Sequence, residues 1–458
     1  MKDRSIDFRS FLLLLQSESE LVRVKRDVNA EYELAIVTAK LDGKKAVLFE
    51  KVQGSKIKVA CNIVATRRRF YLAIAAGEAH HKANQTDIKK NIHNRVTEAI
   101  GSLSVPLEEK DEAPFEKNSS RNLYDLPIVT HFEKDAGPFI TSSIVFAKDQ
   151  EKSKQNQSTH RLLRLDDRHM AIRMVEGRHL HKCFTYAREH GEDLKVTITI
   201  GVHPAVSIAA AYQAAYGVDE MWIANSFLEG TLTLSRTSYS RLYVPSHAEI
   251  VLEGRILRDR THEEWMVEML RTYDFKRKQP VFELDRIMFR DNAIYHDILP
   301  GYAEHRLLMG LPVEAKMYDY IKNVVPTTQS VHLPDGGSNW LTAVIQIKKR
   351  LEGEPKNALF AAFAAHPSLK MATVVDDDIN PTDPVAVEYA IATRCQADRG
   401  FIIIPNTKGS SLDPSSDQEN LLTTKVGIDA TATILKPKER FEIAKIPGEE
   451  KIKLSDYL

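Results

Sequence analysis

Three scattered sets of side chains in this chain have the chemistry to bind or transform a small acid. Asn156 and Arg161 bracket the start of a strand-like run, Leu162-Leu163-Arg164-Leu165. An arginine placed there can enter a cleft and offer its planar fork to a carboxylate, although most arginines are simply solvated. The stretch Thr261 to Met269 sets two glutamates five apart, Glu263 and Glu268, among Trp265, Met266, Val267 and Met269. Burial in such company raises a carboxyl pKa and makes a proton donor, and two carboxyls in unlike surroundings can divide acid and ion-pair roles. The same letters fit an ordinary amphipathic helix with exposed glutamates.

The third set is more dispersed. Arg178-His179-Leu180-His181 opens one helix-like segment and Gly217-Val218-Asp219-Glu220 opens another. His179 and Glu220 could therefore share a metal with Asn156, and mixed nitrogen and oxygen donors suit Mn²⁺ or Mg²⁺ better than thiophilic ions. Spread over so much chain they form no motif, and an acid such as Glu220 is favoured at a helix start in any case. No Walker loop, GxGxxG fingerprint, HExxH helix or GxSxG elbow is present, which closes the usual short-motif routes to an NTPase, dehydrogenase, zinc protease or hydrolase.

The elements that must carry these residues alternate in type. Asp7-Phe8-Arg9-Ser10 followed by Phe11 to Leu15 reads as an N-capped amphipathic helix, and Leu21-Val22-Arg23-Val24 reads as a strand. Residues 31–41 read as helix, 45–49 and 56–61 as strands, and 67–79 as helix. A polar stretch over 104–124 marks a boundary, and 148–158 repeats its character. The β-rich runs Ile140 to Ala147, Val196 to Ile200 and Glu249 to Leu252 suggest a barrel or curled sheet. Helices at 312–324 and 356–365, with strands at 341–347, 371–375 and 401–404, make the last third α/β again. The expected architecture is mixed α/β in three domains: 1–115 an N-terminal α/β domain, 116–300 a central split barrel, and 301–458 a C-terminal α/β domain with an extended tail.

Bulk composition agrees with a small-molecule enzyme. The 458 residues carry 63 Lys plus Arg against 63 Asp plus Glu, so no net field draws the chain to nucleic acid or anionic lipid. Three cysteines, Cys61, Cys183 and Cys395, with no CxxC pair, argue against a disulfide scaffold and fit a reducing, cytoplasmic setting. The apolar run Phe11 to Leu15 is too short for a membrane span.

An ordered series of blocks resembles the UbiD-like decarboxylase family along nearly the whole chain. It runs from Asp7-Phe8-Arg9 through Asp135-Ala136-Gly137-Pro138-Phe139-Ile140-Thr141, Asn156 with Arg161, and Val244 to Gly254. It continues through Arg290-Asp291-Asn292-Ala293-Ile294, Val375-Asp376-Asp377-Asp378-Ile379, Ala392-Thr393-Arg394 and Ser410 to Pro414, ending at Lys425 to Thr431. The resemblance implies a flavin-binding central domain and a C-terminal domain that helps build homodimers or homohexamers. It implies reversible non-oxidative decarboxylation of an α,β-unsaturated acid on prenylated FMN, with Mn²⁺ (or Mg²⁺) and K⁺, the cofactor coming from a prenylated-flavin synthase. By the same resemblance Asn156, His179 and Glu220 hold the metal that clamps the flavin phosphate, and Lys425 faces that phosphate. Arg161, Glu263 and Glu268 form the catalytic set, with Arg161 holding the substrate carboxylate and pairing with Glu263 while Glu268 delivers the proton.

One departure stands out: family members commonly carry Gly-Pro-Phe-Gly between the two glutamates, where this chain has Glu264-Trp265-Met266-Val267. Phrases such as Ser158-Thr159-His160-Arg161 and Glu304-His305-Arg306-Leu307 resemble archaeal members acting on trans-anhydromevalonate 5-phosphate, which release CO2 and isopentenyl phosphate. Arg271, Lys276, Arg277 and Lys278 would offer cations to a phosphate. The alternatives are an aromatic or heteroaromatic acid, with Trp265, Met266 and Met269 lining the pocket, or a cofactor-free structural subunit of a multi-component carboxylase.

Overall fold

The computed structural model describes residues 6–75, 85–101, 107–150, 154–212, 219–444, 446–448, 452, 455 and 457. Gly217, Val218 and the end of the helix expected over 67–79 lie outside them; its described part is Arg67–Ile74. Contacts divide the chain into two compact units, Met1–Ala315 with Leu412–Pro414, and Lys316–Ser411 with Ser415–Leu458. The fold class is the mixed α/β one expected.

In the first unit, Asp7 accepts the Ser10 N–H at 2.8 Å and starts the helix Phe8–Ser17. Phe8, Phe11, Leu12 and Leu15 recur at helical spacing and are all buried. Strands Leu21–Val28 and Ala46–Val52 pair in parallel, which requires a crossover; the helix Glu33–Lys40 lies in that connection. Lys58–Cys61 follows antiparallel, and Ile294–His296 returns from far along the chain to pair with it in parallel. Several of the ordered sequence blocks meet here. Arg9 grips the fully buried Glu249 carboxylate at 2.7 and 2.8 Å, and Arg290 reaches both Asp7, at 2.9 Å, and Glu249, at 3.1 Å. An apolar cluster containing Phe8, Leu48, Phe146, Val206, Met288 and Leu311 joins the N-terminal and central parts of this unit in one core.

The central β region is a nine-stranded sheet. Its strands lie in the order Phe139–Ile140, Leu162–Arg164, His169–Ile172, Arg277–Phe289, Ile250–Glu264, Leu194–Ile200, Ile144–Asp149 and Lys154–Thr159, with Asn118–Ser120 added beside Arg277–Phe289. Thr159 ends the last strand of that order and Leu162 begins the second, yet about 11 Å of extended chain is all that separates them. The sheet must therefore curl until its two ends meet, as a split barrel requires, and His160 and Arg161 are the residues at the seam. Ser143 Oγ donates to the His160 carbonyl at 2.5 Å, while the His160 ring is held between Ser158 Oγ at 2.8 Å and the Arg173 carbonyl at 2.7 Å. Burial pushes the His160 pKa down to about 4, so it serves as a neutral strut.

The second unit carries a five-stranded sheet ordered Thr328–His332, Thr342–Ile347, Met371–Asp376, Leu422–Ala430 and Phe401–Lys408. The helix expected over 312–324 runs Ala303–Val324, passing Pro312. Arg394 bonds Asp376 at 2.6 Å and Asp378 at 2.7 Å, so two more of the sequence blocks form a structural ion pair. Among the described residues no helix is long and apolar enough to cross a membrane.

Candidate active site

Arg161, at the seam of the curled sheet, is surrounded by acids. Its Nε and Nη2 donate to the two Glu264 oxygens at 3.0 and 2.9 Å, its Nη1 donates to Glu268, and Nη2 also reaches Asp274 at 3.1 Å. Burial alone would lower the arginine's pKa, but the charges of Glu268 and Glu264 outweigh it and hold the guanidinium above its usual range. Asp274 is likewise buried, yet Arg161 and Arg277 hold its carboxyl below the ordinary value. The members of this cluster differ in access: the Glu264 and Asp274 side chains are 1% and 4% exposed, whereas Glu268 is 20% exposed. Glu264 fixes the fork from one side, and Glu268 holds the edge a ligand can reach.

The expected pairing of Arg161 with Glu263 is corrected by this geometry. Glu263 is exposed and stands opposite Lys278 across the hairpin, while Glu264 turns inward to the arginine. The cause is a break in register between Leu257 and Thr261, which inserts residues on one strand and resets which face each later side chain occupies. Glu264→Gln is expected to lower kcat/KM about 10- to 100-fold by loosening the fork. Glu263→Gln should stay within about twofold of the parent, as surface changes do. Steady-state kinetics on the pair of variants checks both.

Beyond Glu264 the chain leaves the sheet and folds back on itself. Asp274 N–H donates to the Met266 carbonyl at 2.9 Å and Glu268 N–H to the Thr272 carbonyl at 2.8 Å, placing Glu268 at the base of a tight turn. The block Asp135-Ala136 clamps this loop: Asp135 accepts the Val267 N–H at 3.0 Å, and Ala136 N–H donates to the Trp265 carbonyl at 3.1 Å. Trp265 Nε1 adds a bond to the Lys134 carbonyl at 2.8 Å. A loop lacking Gly-Pro-Phe-Gly is thus held by the neighbouring block. Met266 and Met269 are 2% and 1% exposed, and Met266 packs with Phe139, Leu163 and Ala171, so both belong to the core. Asp135 belongs to the recognisable block Asp135 to Thr141, but its contact with this loop, and that of Asp274 with Arg161, carry no local sequence signal.

Of the three residues proposed to hold a metal, Asn156 and His179 are in contact and Glu220 reaches the neighbouring backbone of the same strand. Asn156 Nδ2 lies 3.1 Å from His179 Nδ1, and the Glu220 carboxylate accepts the N–H of Gln157, the next residue on the strand. His179 begins the helix His179–Glu189 and Glu220 begins Glu220–Phe227, capped by Asp219, whose carboxylate also accepts from Gln157 at 2.5 Å. Asn156 Oδ1 and Glu220 Oε2 are buried with no hydrogen-bond partner among the described residues. Burial pushes the Glu220 carboxyl up to about 8. Orphaned, inward-facing oxygens beside an imidazole fit a divalent cation, which would satisfy them and favour the carboxylate. Among the described residues no three His, Cys, Asp or Glu side chains group for a metal, so an ion here depends on the Asn156 amide. Asn156 and Arg161 are about 16 Å apart along extended chain, so one member of the metal trio and the centre of the arginine cluster lie on successive stretches of one segment.

Lys425 lies in the second unit, on strand Leu422–Ala430. Its ammonium donates to the carbonyls of Pro367 and Leu369 at 2.6 and 2.5 Å, and burial pushes its pKa down to about 8. The sequence run Arg271, Lys276, Arg277 and Lys278 does not act as one patch. Arg277 is paired with Asp274, Lys276 lies 4.3 Å over the Trp265 ring, and Lys278 is exposed.

Comparison with known proteins gives this arrangement a context. The chain matches models of the N-terminal, Rift-related and C-terminal domains of 3-octaprenyl-4-hydroxybenzoate carboxy-lyase over residues 12–84, 107–303 and 306–430. It is 39% identical to an anhydromevalonate phosphate decarboxylase of Methanothermobacter thermautotrophicus, over 92% of this chain and 96% of that one. The structure of the UbiD-class enzyme HmfF from Pelotomaculum thermopropionicum, in complex with FMN, is 37% identical and superposes with a TM-score of 0.93 over 99% of this chain and 100% of that one. An evolved dimeric form of HmfF, in complex with prenylated FMN, is 34% identical, with a TM-score of 0.89 over 99% of this chain and 100% of that one. The fold, the three matched regions and these relatives together establish that the chain belongs to the UbiD family and is a carboxy-lyase.

Proposed function

We propose that the protein is a prenylated-FMN-dependent decarboxylase that converts trans-anhydromevalonate 5-phosphate to isopentenyl phosphate and CO2. The observation that carries this reading is the convergence of Glu264, Glu268 and Asp274 on Arg161. It is supported by the decarboxylase relative from Methanothermobacter thermautotrophicus and by the flavin complexes of HmfF.

Asn156, His179 and Glu220 would hold Mn²⁺ or Mg²⁺ against the flavin phosphate. When bound, the prenylated flavin supplies the electron sink for the carbon–carbon bond that breaks. The remaining work falls to the chain. The substrate carboxylate displaces Glu268 from the accessible edge of Arg161, while Glu264, almost fully buried, keeps the fork in place. Displaced from Arg161, Glu268 is the carboxyl placed to carry the proton. Once CO2 departs, Glu268 passes that proton to the carbon that carried the carboxylate.

Protein produced with a prenylated-flavin synthase and Mn²⁺ should release isopentenyl phosphate from trans-anhydromevalonate 5-phosphate, followed by mass spectrometry. Turnover of aromatic acids with none of the phosphorylated acid would overturn the substrate assignment. Glu220→Gln is expected to bring metal down to background by elemental analysis and to lose flavin with it, because a neutral amide replaces the one anionic ligand.

A further inference from the structure

The turn that carries Glu268 also aims a cation at the start of the helix Ala303–Val324. Arg271 N–H donates to the Glu268 carbonyl at 2.8 Å, and Arg271 adopts φ +61°, which turns its side chain back onto Gly301 and Tyr302. A Cβ on Gly301 would run into the Arg271 side chain and the Glu268 carbonyl, so only glycine permits this approach. The Arg271 guanidinium lies 4.8 Å over the Tyr302 ring. Arg306 stands one turn into the helix, its N–H bonded to the Tyr302 carbonyl at 3.0 Å, and its Nε is buried without a hydrogen-bond partner among the described residues. Between them, His305 Nδ1 accepts the Gly301 N–H at 3.1 Å, which leaves Nε2 as the ring's donor.

The acids nearby are already engaged. Asp42 accepts the Ala303 N–H at 3.0 Å, and Glu304 accepts from the N–H groups of Ile63 and Val64 and from His296. Arg271 covers the Tyr302 ring and Arg306 follows Tyr302 by one helical turn, and neither arginine forms an ion pair among the described residues. Arg271, exposed on the Glu268 turn, and Arg306, part-buried, thus leave two cations without ion-pair partners beside the start of this helix.

We propose that Arg271 and Arg306 bind the phosphate of the substrate while Arg161 binds its carboxylate. This rests on the function proposed above and extends it by naming the residues that select a phosphorylated acid. A phosphate dianion at the helix start would also meet the favourable end of its dipole.

The test uses flavin-loaded Arg271→Gln and Arg306→Gln enzymes, with Arg306→Lys as the conservative variant. Binding of isopentenyl phosphate is read by calorimetry, KM and kcat are measured on the phosphorylated acid and on the same acid lacking phosphate, and flavin content by absorbance. Each Gln variant should weaken isopentenyl phosphate binding and raise KM about 10- to 100-fold. Flavin content, kcat and the KM for the unphosphorylated acid should hold, and Arg306→Lys should recover part of the affinity. Unchanged phosphate-ligand affinity, or an equal loss on both acids, overturns the subsite. Loss of flavin instead would assign these cations to the cofactor phosphate and also overturn it. If the parent enzyme itself binds no isopentenyl phosphate and leaves the phosphorylated acid untouched, the function proposed above fails, and this subsite with it.

Discussion

Glu268→Gln is expected to give a folded protein that keeps its flavin and metal yet forms product about 10²- to 10⁴-fold more slowly, the range that a positioned general acid supplies. The amide retains a carbonyl oxygen for Arg161 Nη1, so the cluster that Glu268 helps to hold is preserved. What it lacks is a transferable proton. Binding of the phosphorylated acid should therefore persist while proton delivery to the decarboxylated carbon stops. Rapid mixing followed by mass analysis separates these steps, and CO2 release without matching isopentenyl phosphate is the expected pattern. Near-parental product formation would remove Glu268 from the reaction.

The second large effect belongs to Arg161. Arg161→Gln leaves Glu264 and Asp274, 1% and 4% exposed, beside Glu268 with their central counter-charge gone. Breaking a buried pair from one side costs about 3–5 kcal/mol, and Arg277 still neutralises only part of Asp274. Activity should fall by at least about 10³-fold, because both the carboxylate grip and the anchoring of Glu268 go together. The stability loss has a defined pH dependence. In the parent, Arg161 helps hold the Asp274 carboxyl below its ordinary value, a contribution present above the unfolded carboxylate pKa of about 4 and lost as pH falls through the folded one. The gap in denaturation midpoint between parent and variant should thus be widest near neutral pH and shrink on acidification. Arg161→Lys keeps the charge without the fork, so it should recover stability more than activity.

The part of this site legible in sequence was the part carried on one short segment. Asn156 and Arg161 lie on consecutive stretches of chain at the seam of the curled sheet, where spacing along the sequence is also spacing in the site. His179 and Glu220 start helices, a position visible in the letters, but only the fold shows that both ends converge on the strand Lys154–Thr159. Glu264 was hidden by the break in register before Thr261, since alternation cannot be carried across inserted residues. Asp274 was hidden because it reaches Arg161 only after the chain reverses at Glu268 to Thr272. Many of the blocks that made the family recognisable do structural work: Arg9, Glu249 and Arg290 tie the first helix to the central sheet, and Arg394 ties Asp376 and Asp378.

A crystal structure of the flavin- and manganese-loaded protein, with anomalous data at the manganese edge, tests the proposed centre most directly. The expected result is one manganese peak bounded by Asn156, His179 and Glu220 and touching the flavin phosphate, with Arg161, Glu264 and Glu268 facing the ring system. A peak elsewhere, or a flavin whose ring lies away from Arg161, would contradict it.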